Sequence, residues 1–325
     1  MLQFLRKVRM TYSGGIINPG GIQKHEIKIS FNVSKGIESG ANTAEIELWN
    51  LAPGTRNALG RELDDITLEA GYMPPMGMNA AFGSGLSFFD RLPVRGVSQA
   101  INGFLSGGGS NNVGVIFKGQ LRDMEHRRDG PDIITKISCG DSDKAFRRAT
   151  ISKSFEEGTP VKDVVEELYK QLEKEGIERG EWKFPDEMKD KKYRRPYSMC
   201  GTVKRELDRI GRGQNFYWSC QNQTMEIVPG DGYIGGVVLI TPETGMIDTP
   251  AITDNGVKVS CLLNPEIRPN RRVQIRSDVL EMNGEGGMYR VSQTSYSGDN
   301  RDGDFRVDVH GEALRGGKVD EGKRY

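Results

Sequence analysis

The feature that most constrains this chain is a two-residue alternation that restarts after each short polar turn. Leu2, Phe4, Val8, Met10 and Tyr12 are apolar at even positions, with Arg6 as the break. Ile27, Ile29, Phe31 and Val33 alternate with polar residues. So do Ala44, Ile46 and Leu48, running into Trp49, and then Ile66, Leu68, Ala70 and Tyr72. A period of two buries one face of a strand and wets the other. Ser13-Gly14-Gly15, Asn18-Pro19-Gly20-Gly21 and Pro53-Gly54 punctuate these runs as turns. The gaps are too short for the helical crossovers that parallel strands need. An antiparallel barrel or sandwich follows.

The pattern resumes at Val113, Val115 and Phe117, leading to Gly119-Gln120-Leu121. Arg127-Arg128-Asp129-Gly130-Pro131 reads as a turn. Ile133, Thr135, Ile137 and Cys139 make the next strand, closed by Gly140-Asp141-Ser142-Asp143. Residues 1–147 are thus one β domain. Residues 148–235 change character. Thr159 suits an N-cap and Pro160 the first helical position. Val161, Val164, Val165, Leu168, Tyr169 and Leu172 then keep helical spacing, with Gly176 at the end. A second helix carries Val203, Leu207 and Ile210 and stops at Gly211. A hairpin follows, from Phe216-Tyr217-Trp218-Ser219-Cys220 through Gln221-Asn222-Gln223 to Thr224-Met225-Glu226-Ile227-Val228. The charged stretch 180–197 reads as a solvated loop. Residues 236–315 return to strands: 237–240, 256–263, 273–275, 287–291 and 305–309. Residues 316–325 form a polar tail. The expected fold is mainly β, with two antiparallel β-barrels flanking a small α+β domain.

Residues 74–112 break the first β domain. Eight of these 39 positions are glycine, and the charged residues are Asp90, Arg91 and Arg95. The stretch is nevertheless apolar, with Phe88, Phe89, Phe104 and Leu105 among its side chains. A surface loop and a segment that docks on a partner both fit this composition. On the docking reading, those four residues are the candidate contacts.

Composition removes other classes. The 45 basic and 45 acidic residues cancel, which disfavours specific nucleic-acid binding through a basic surface. No run approaches the ~18 apolar residues of a membrane-spanning helix, so no membrane insertion is expected, and the first ten residues lack a signal-peptide pattern. Cys139, Cys200, Cys220 and Cys261 are scattered and read as buried reduced thiols. No phosphate-binding loop, zinc spacing or nucleophile elbow occurs. His25, His126 and His310 stand alone in sequence. Asp299-Asn300-Arg301-Asp302-Gly303-Asp304 places Arg301 and Gly303 at two positions where a calcium loop needs ligands, and reads as a hairpin turn. No catalytic residue, cofactor or metal is expected. Paired carboxylates of a glycosidase would meet only in the fold, so sequence leaves that class open.

Several stretches, in order, resemble the baseplate hub proteins of contractile-tailed phages. This is the late-control protein D family, whose fold also forms the N-terminal part of the type VI secretion spike protein. They are Asn42-Thr43-Ala44-Glu45-Ile46-Glu47-Leu48-Trp49-Asn50-Leu51 with Ile66-Thr67-Leu68-Glu69-Ala70-Gly71-Tyr72, and Val115-Ile116-Phe117-Lys118-Gly119 with the strand ending at Gly140-Asp141. Then come Gly158-Thr159-Pro160-Val161, the Phe216-Tyr217-Trp218 hairpin, Leu262-Leu263-Asn264-Pro265-Glu266-Ile267-Arg268-Pro269-Asn270, and Tyr289-Arg290-Val291.

The resemblance implies a homotrimer in which each subunit contributes two tail-tube-like barrels. Three subunits then present a pseudo-sixfold ring that joins the tail tube to a trimeric central spike. The implied partners are the tail tube protein or a tube initiator, the central spike protein, a tape-measure protein and the baseplate wedge. The implied location is the virion tail baseplate, after synthesis in the host bacterial cytoplasm. The insertion 74–112 has no counterpart in this pattern. Two rival classes stand beside it. A tail-associated cell-wall hydrolase predicts a cleft with convergent carboxylates. A carbohydrate-binding β module predicts exposed aromatics such as Trp182 on one face.

Overall fold

The computed structural model describes residues 5–18, 26–59, 64–73 and 112–320. The expected contacts Phe88, Phe89, Phe104 and Leu105, and His25, lie outside the described residues. The first half of the chain contributes β1 (Leu5–Tyr12), β2 (Gly15–Ile17), β3 (Ile29–Gly36), β4 (Thr43–Trp49), the short helix α1 (Pro53–Ala58), β5 (Asp65–Met73), β6 (Gly114–Asp129) and β7 (Asp132–Gly140). The middle contributes α2 (Asp143–Arg148), β8 (Thr150–Phe155), α3 (Val161–Glu173), β9 (Glu178–Trp182), β10 (Tyr197–Thr202), α4 (Val203–Gln214), β11 (Phe216–Gln221) and β12 (Thr224–Pro229). The last part contributes β13 (Val237–Ile240), β14 (Ala251–Thr253), β15 (Gly256–Leu262), β16 (Arg272–Ile275), β17 (Met288–Asp299), β18 (Phe305–Arg315) and β19 (Lys318–Val319).

The fold is mainly β, as the alternation requires. Strands of the first and last parts join in one sheet, in the order β14-β15-β18-β17-β3-β4-β7-β6-β5-β1-β2, with β13 and β16 branching from β17. The long hairpin β17–β18 makes this continuity. The start of β17 pairs with β16, Gln274 opposite Met288 and Arg272 opposite Arg290. Its end pairs with β3, from Gln293 opposite Gly36 to Asp299 opposite Ser30. Between them the register against β18 shifts, at Val291/Gln293. A bulge bends a strand and re-aims its edge. Here it is the place where β17 exchanges one neighbour for the other. The Asp299–Asp304 stretch is the turn of this hairpin.

One apolar core runs beneath both halves. Val8, Ile29, Ile46, Leu68 and Phe117 from the first part pack in one cluster with Val273, Tyr289, Tyr296 and Val307 from the last. A separate core belongs to the middle segment, where Val164, Leu168 and Leu172 of α3 meet Leu207 and Ile210 of α4 and Trp218 and Ile227 of the β11–β12 hairpin.

Six local expectations need correction. Arg127, Arg128 and Asp129 belong to β6, opposite Ile134, Ile133 and Asp132, so the turn is Gly130-Pro131 alone. The polar tail carries β19, where Leu314 pairs with Val319 and Val319 is buried. Thr159 does not cap α3. Its hydroxyl donates instead to the Glu156 carbonyl at 2.7 Å, and Pro160 holds the N-cap position. The second helix passes Gly211 and ends at Asn215, whose left-handed backbone (φ 53°, ψ 51°) terminates it. Residues 180–197 are not a plain solvated loop. Trp182 ends a strand parallel to β12, and Met188 is buried. Of the four cysteines, Cys139, Cys220 and Cys261 are buried but Cys200 is exposed. It faces outward on β10, where the alternation places Met199 inward.

Candidate functional site

The β11–β12 hairpin is where the middle segment meets the sheet. Asn222 and Gln223 form its tip, with φ of 57° and 64°. Two consecutive left-handed residues make the tight turn that matches strand twist. This tip lies against the ends of β3 and β7 and is held there by buried polar groups.

Asp141, at the end of β7, is fully buried. Its carboxyl accepts the main-chain N–H of Asn222 at 2.7 Å and of Gln223 at 2.9 Å. It also accepts the Ser142 hydroxyl at 2.8 Å and the Asn42 amide at 3.2 Å. Burial pushes this carboxyl above the usual aspartate range, against the opposing pull of Lys35 and of its donors. Asn42 reaches further, donating to the Cys220 carbonyl at 2.7 Å. Gln221 donates to the Gly36 carbonyl at 2.8 Å. Gln223 and Gln120 both donate to Asp65, at 3.1 and 2.9 Å.

Lys35 completes the tip. It occupies the next inward position after Ile29, Phe31 and Val33, and only 2% of it is exposed. Its Nζ donates to Asn222 Oδ1 at 2.5 Å. Burial pulls its pKa down to about 8, against the attraction of Asp141.

A second set of contacts grips the base of the hairpin. Arg290, 2% exposed at the start of β17, donates Nη1 to the carbonyls of Gly230 and Gly232 at 2.9 and 2.8 Å. Its Nε bonds Glu312 at 3.0 Å, and its guanidinium lies 5.5 Å from the Tyr217 ring centroid. Glu226 inside β12 accepts from Arg271 at 2.6 Å and from Asn270 at 3.1 Å. The tip is thus fixed to the first part of the sheet and the base to the last. Such contacts hold parts in one geometry. Breaking such a buried network from one side is costly, because the groups left behind lose their partners.

His126 bonds the Thr135 hydroxyl at 3.1 Å on the β6–β7 hairpin. His310 lies on β18 opposite Lys258, and burial with that cation lowers its pKa. The structure does not bring the two histidines together. Among the described residues, no group of His, Cys, Asp and Glu has metal-binding geometry, and no helix is long and apolar enough to cross a membrane. Trp182 packs rather than projects. Its indole N–H donates to the Met225 carbonyl at 3.0 Å, and its ring meets Tyr169 and Phe184 edge-on at 5.1 and 6.1 Å.

A tip and base fixed to two halves of one sheet describe a rigid structural joint. Comparison with known proteins gives the family. A family model described as baseplate hub gp41 matches residues 5–311. The chain belongs to the baseplate hub gp41 family. The hub's fold is similar to the 43 kDa tail protein of prophage MuSo2 from Shewanella oneidensis, with 10% identity and a TM-score of 0.57, covering 97% of this chain and 98% of that one. It is similar to a tail protein from Neisseria meningitidis MC58, with 7% identity, a TM-score of 0.57 and coverage of 95% and 97%. It is also similar to the c3393 protein of E. coli, a type VI secretion component described as resembling T4 phage tail proteins gp27 and gp5. There the identity is 10%, the TM-score 0.55 and the coverage 96% and 78%. No curated protein sequence matches the hub. It is a structural component of a phage tail baseplate.

Proposed function

We propose that this hub forms a homotrimeric ring of pseudo-sixfold symmetry that adapts the tail tube to a trimeric central spike. The observation that carries this reading is the shared strand β17, which fuses two β units of one subunit into a continuous sheet. A threefold assembly of such subunits presents six β units. The two units correspond to residues 1–147 and 236–315, with 148–235 as the insert between them. Six of the eight large apolar side chains exposed among the described residues fall in the last part: Val237, Leu239, Ile247, Ile252, Val279 and Leu280. Exposed apolar surface marks contact sites, and in this reading the last part meets a neighbouring subunit.

The partners are the tail tube protein or a tube initiator, the spike, the tape-measure protein and the baseplate wedge. Residues 74–112, with Phe88, Phe89, Phe104 and Leu105, are proposed to meet the spike or the tape measure. The role is non-enzymatic, and the site of action is the virion, after synthesis in the host cytoplasm. The balanced charge suits a ring that DNA traverses without being gripped, since each cation held against phosphate adds affinity. Native mass spectrometry and electron microscopy of the purified chain test the proposal. A trimer with six density lobes is expected. A stable monomer that cleaves a cell-wall glycan overturns it.

A further inference from the structure

Lys35 is unusual for a lysine. A lysine almost never sits fully buried without an ion-pair partner. Among the described residues its one hydrogen-bond partner is the neutral side chain of Asn222, and the buried carboxyl of Asp141 attracts it through space rather than by a direct bond. The strand alternation forces it inward, and its neighbour across β17 is Thr294, whose buried hydroxyl has no partner. An ammonium buried there carries a desolvation penalty.

We propose that Lys35 and Asn222 join in an intramolecular amide bond that staples the β11–β12 hairpin to β3. The Lys35 Nζ lone pair attacks Asn222 Cγ, forming an N–C bond. The Cγ–Nδ2 bond breaks, one proton passes from Nζ to Nδ2, and ammonia leaves. No oxidant, reductant or co-reactant enters. The amide formed between the two side chains is neutral.

Three features favour the step. The Nζ of Lys35 donates to Oδ1 of Asn222, so the amine and the amide it would attack are held together before the step. The main-chain N–H of Lys118 donates to the same Oδ1 at 3.2 Å, where negative charge develops during attack. Asp141 holds the Asn222 backbone through its N–H and so keeps the hairpin tip against the end of β3. The low pKa of Lys35 also populates the free amine near neutral pH. The inference concerns chemistry within one chain and does not depend on the ring.

Intact-mass spectrometry of the purified, denatured chain tests it. The expected mass is lower than the sequence mass by one ammonia, about 17 Da. Proteolysis should yield one branched peptide joining the segments of Lys35 and Asn222. The Asn222→Ala variant should regain the mass expected for its sequence and lose the branched peptide. A full sequence mass in the wild-type chain overturns the proposal. So does ammonia loss that maps to another site, such as a succinimide at Asn255-Gly256, with linear peptides at Lys35 and Asn222.

Discussion

The carboxyl of Asp141 accepts the main-chain N–H of Asn222 at 2.7 Å, across 81 residues of sequence. It accepts the next N–H, of Gln223, as well. One side chain at a strand end therefore fixes the tip of a hairpin from another part of the chain. The Asp141→Ala variant leaves these donors buried without an acceptor. It should lose about 3 kcal/mol of stability in urea unfolding, the range for breaking a buried polar network from one side. Asp141→Asn should lose somewhat less, because its amide keeps one acceptor oxygen. Hydrogen exchange at Asn222 and Gln223 should accelerate in both variants. Unchanged exchange there would mean that the tip is held by other contacts.

Arg290 does at the base of the hairpin what Asp141 does at its tip. A guanidinium serves carbonyls and a carboxylate together because its donors fan out in a plane, and an ammonium cannot. Arg290→Lys should therefore behave as a severe change. A loss of about 2–3 kcal/mol is expected, with the Gly230 and Gly232 carbonyls unpaired. Thermal unfolding at matched pH reads this. A Tm equal to that of the parent protein would show the carbonyl contacts to be energetically idle.

The strands of this fold were readable because their periodicity is a property of neighbouring residues. Ile29, Phe31 and Val33 announce an inward face without reference to anything distant. The same period places Lys35 inward, but a lone lysine at the end of a run looks like the point where a strand meets water. The strand end at Gly140-Asp141 and the turn at Asn222-Gln223 lie where the sequence places them, since Asp, Asn and Gly favour turns. Their joining was not legible, because it depends on two turns meeting in space. The exchange of partners along β17 was hidden for the same reason. Thr159 and Gly211 misled because local preference lost to tertiary demand. The Val161 N–H goes to the Lys191 carbonyl, and Gly211 has no room for a side chain because it lies against Phe216.

The cysteines give a chemical test of the packing. The thiolate is the reactive form, and burial pushes the thiols of Cys139 and Cys261 up to about 12. Burial raises that of Cys220 as well. At pH 8 all three remain protonated as well as covered. A thiol reagent should label one site per native chain, at the exposed Cys200, and four sites in denaturant. Raising the pH to about 9 should add no second site in the native protein, because the buried thiols stay protonated and covered. Rapid labelling of Cys139 in the native protein would show that the sheet is open at β7.

Trp182 separates the structural reading from that of a carbohydrate-binding module. Its ring stands between Tyr169 and Phe184, and Phe184 continues the contact to Phe216, 5.9 Å away between centroids. Arg179 lies 4.0 Å above it, held by two bonds to Glu166. The edge-on contacts, the stacked guanidinium and the indole hydrogen bond occupy the ring within its own chain. A glycan platform instead needs a free face. Trp182→Ala should cost about 3 kcal/mol, as expected for removing a large packed aromatic, and should leave glycan-array signals at background in both proteins. The opposite pattern, with stability retained and a glycan signal abolished by the substitution, would return the protein to the carbohydrate-binding class.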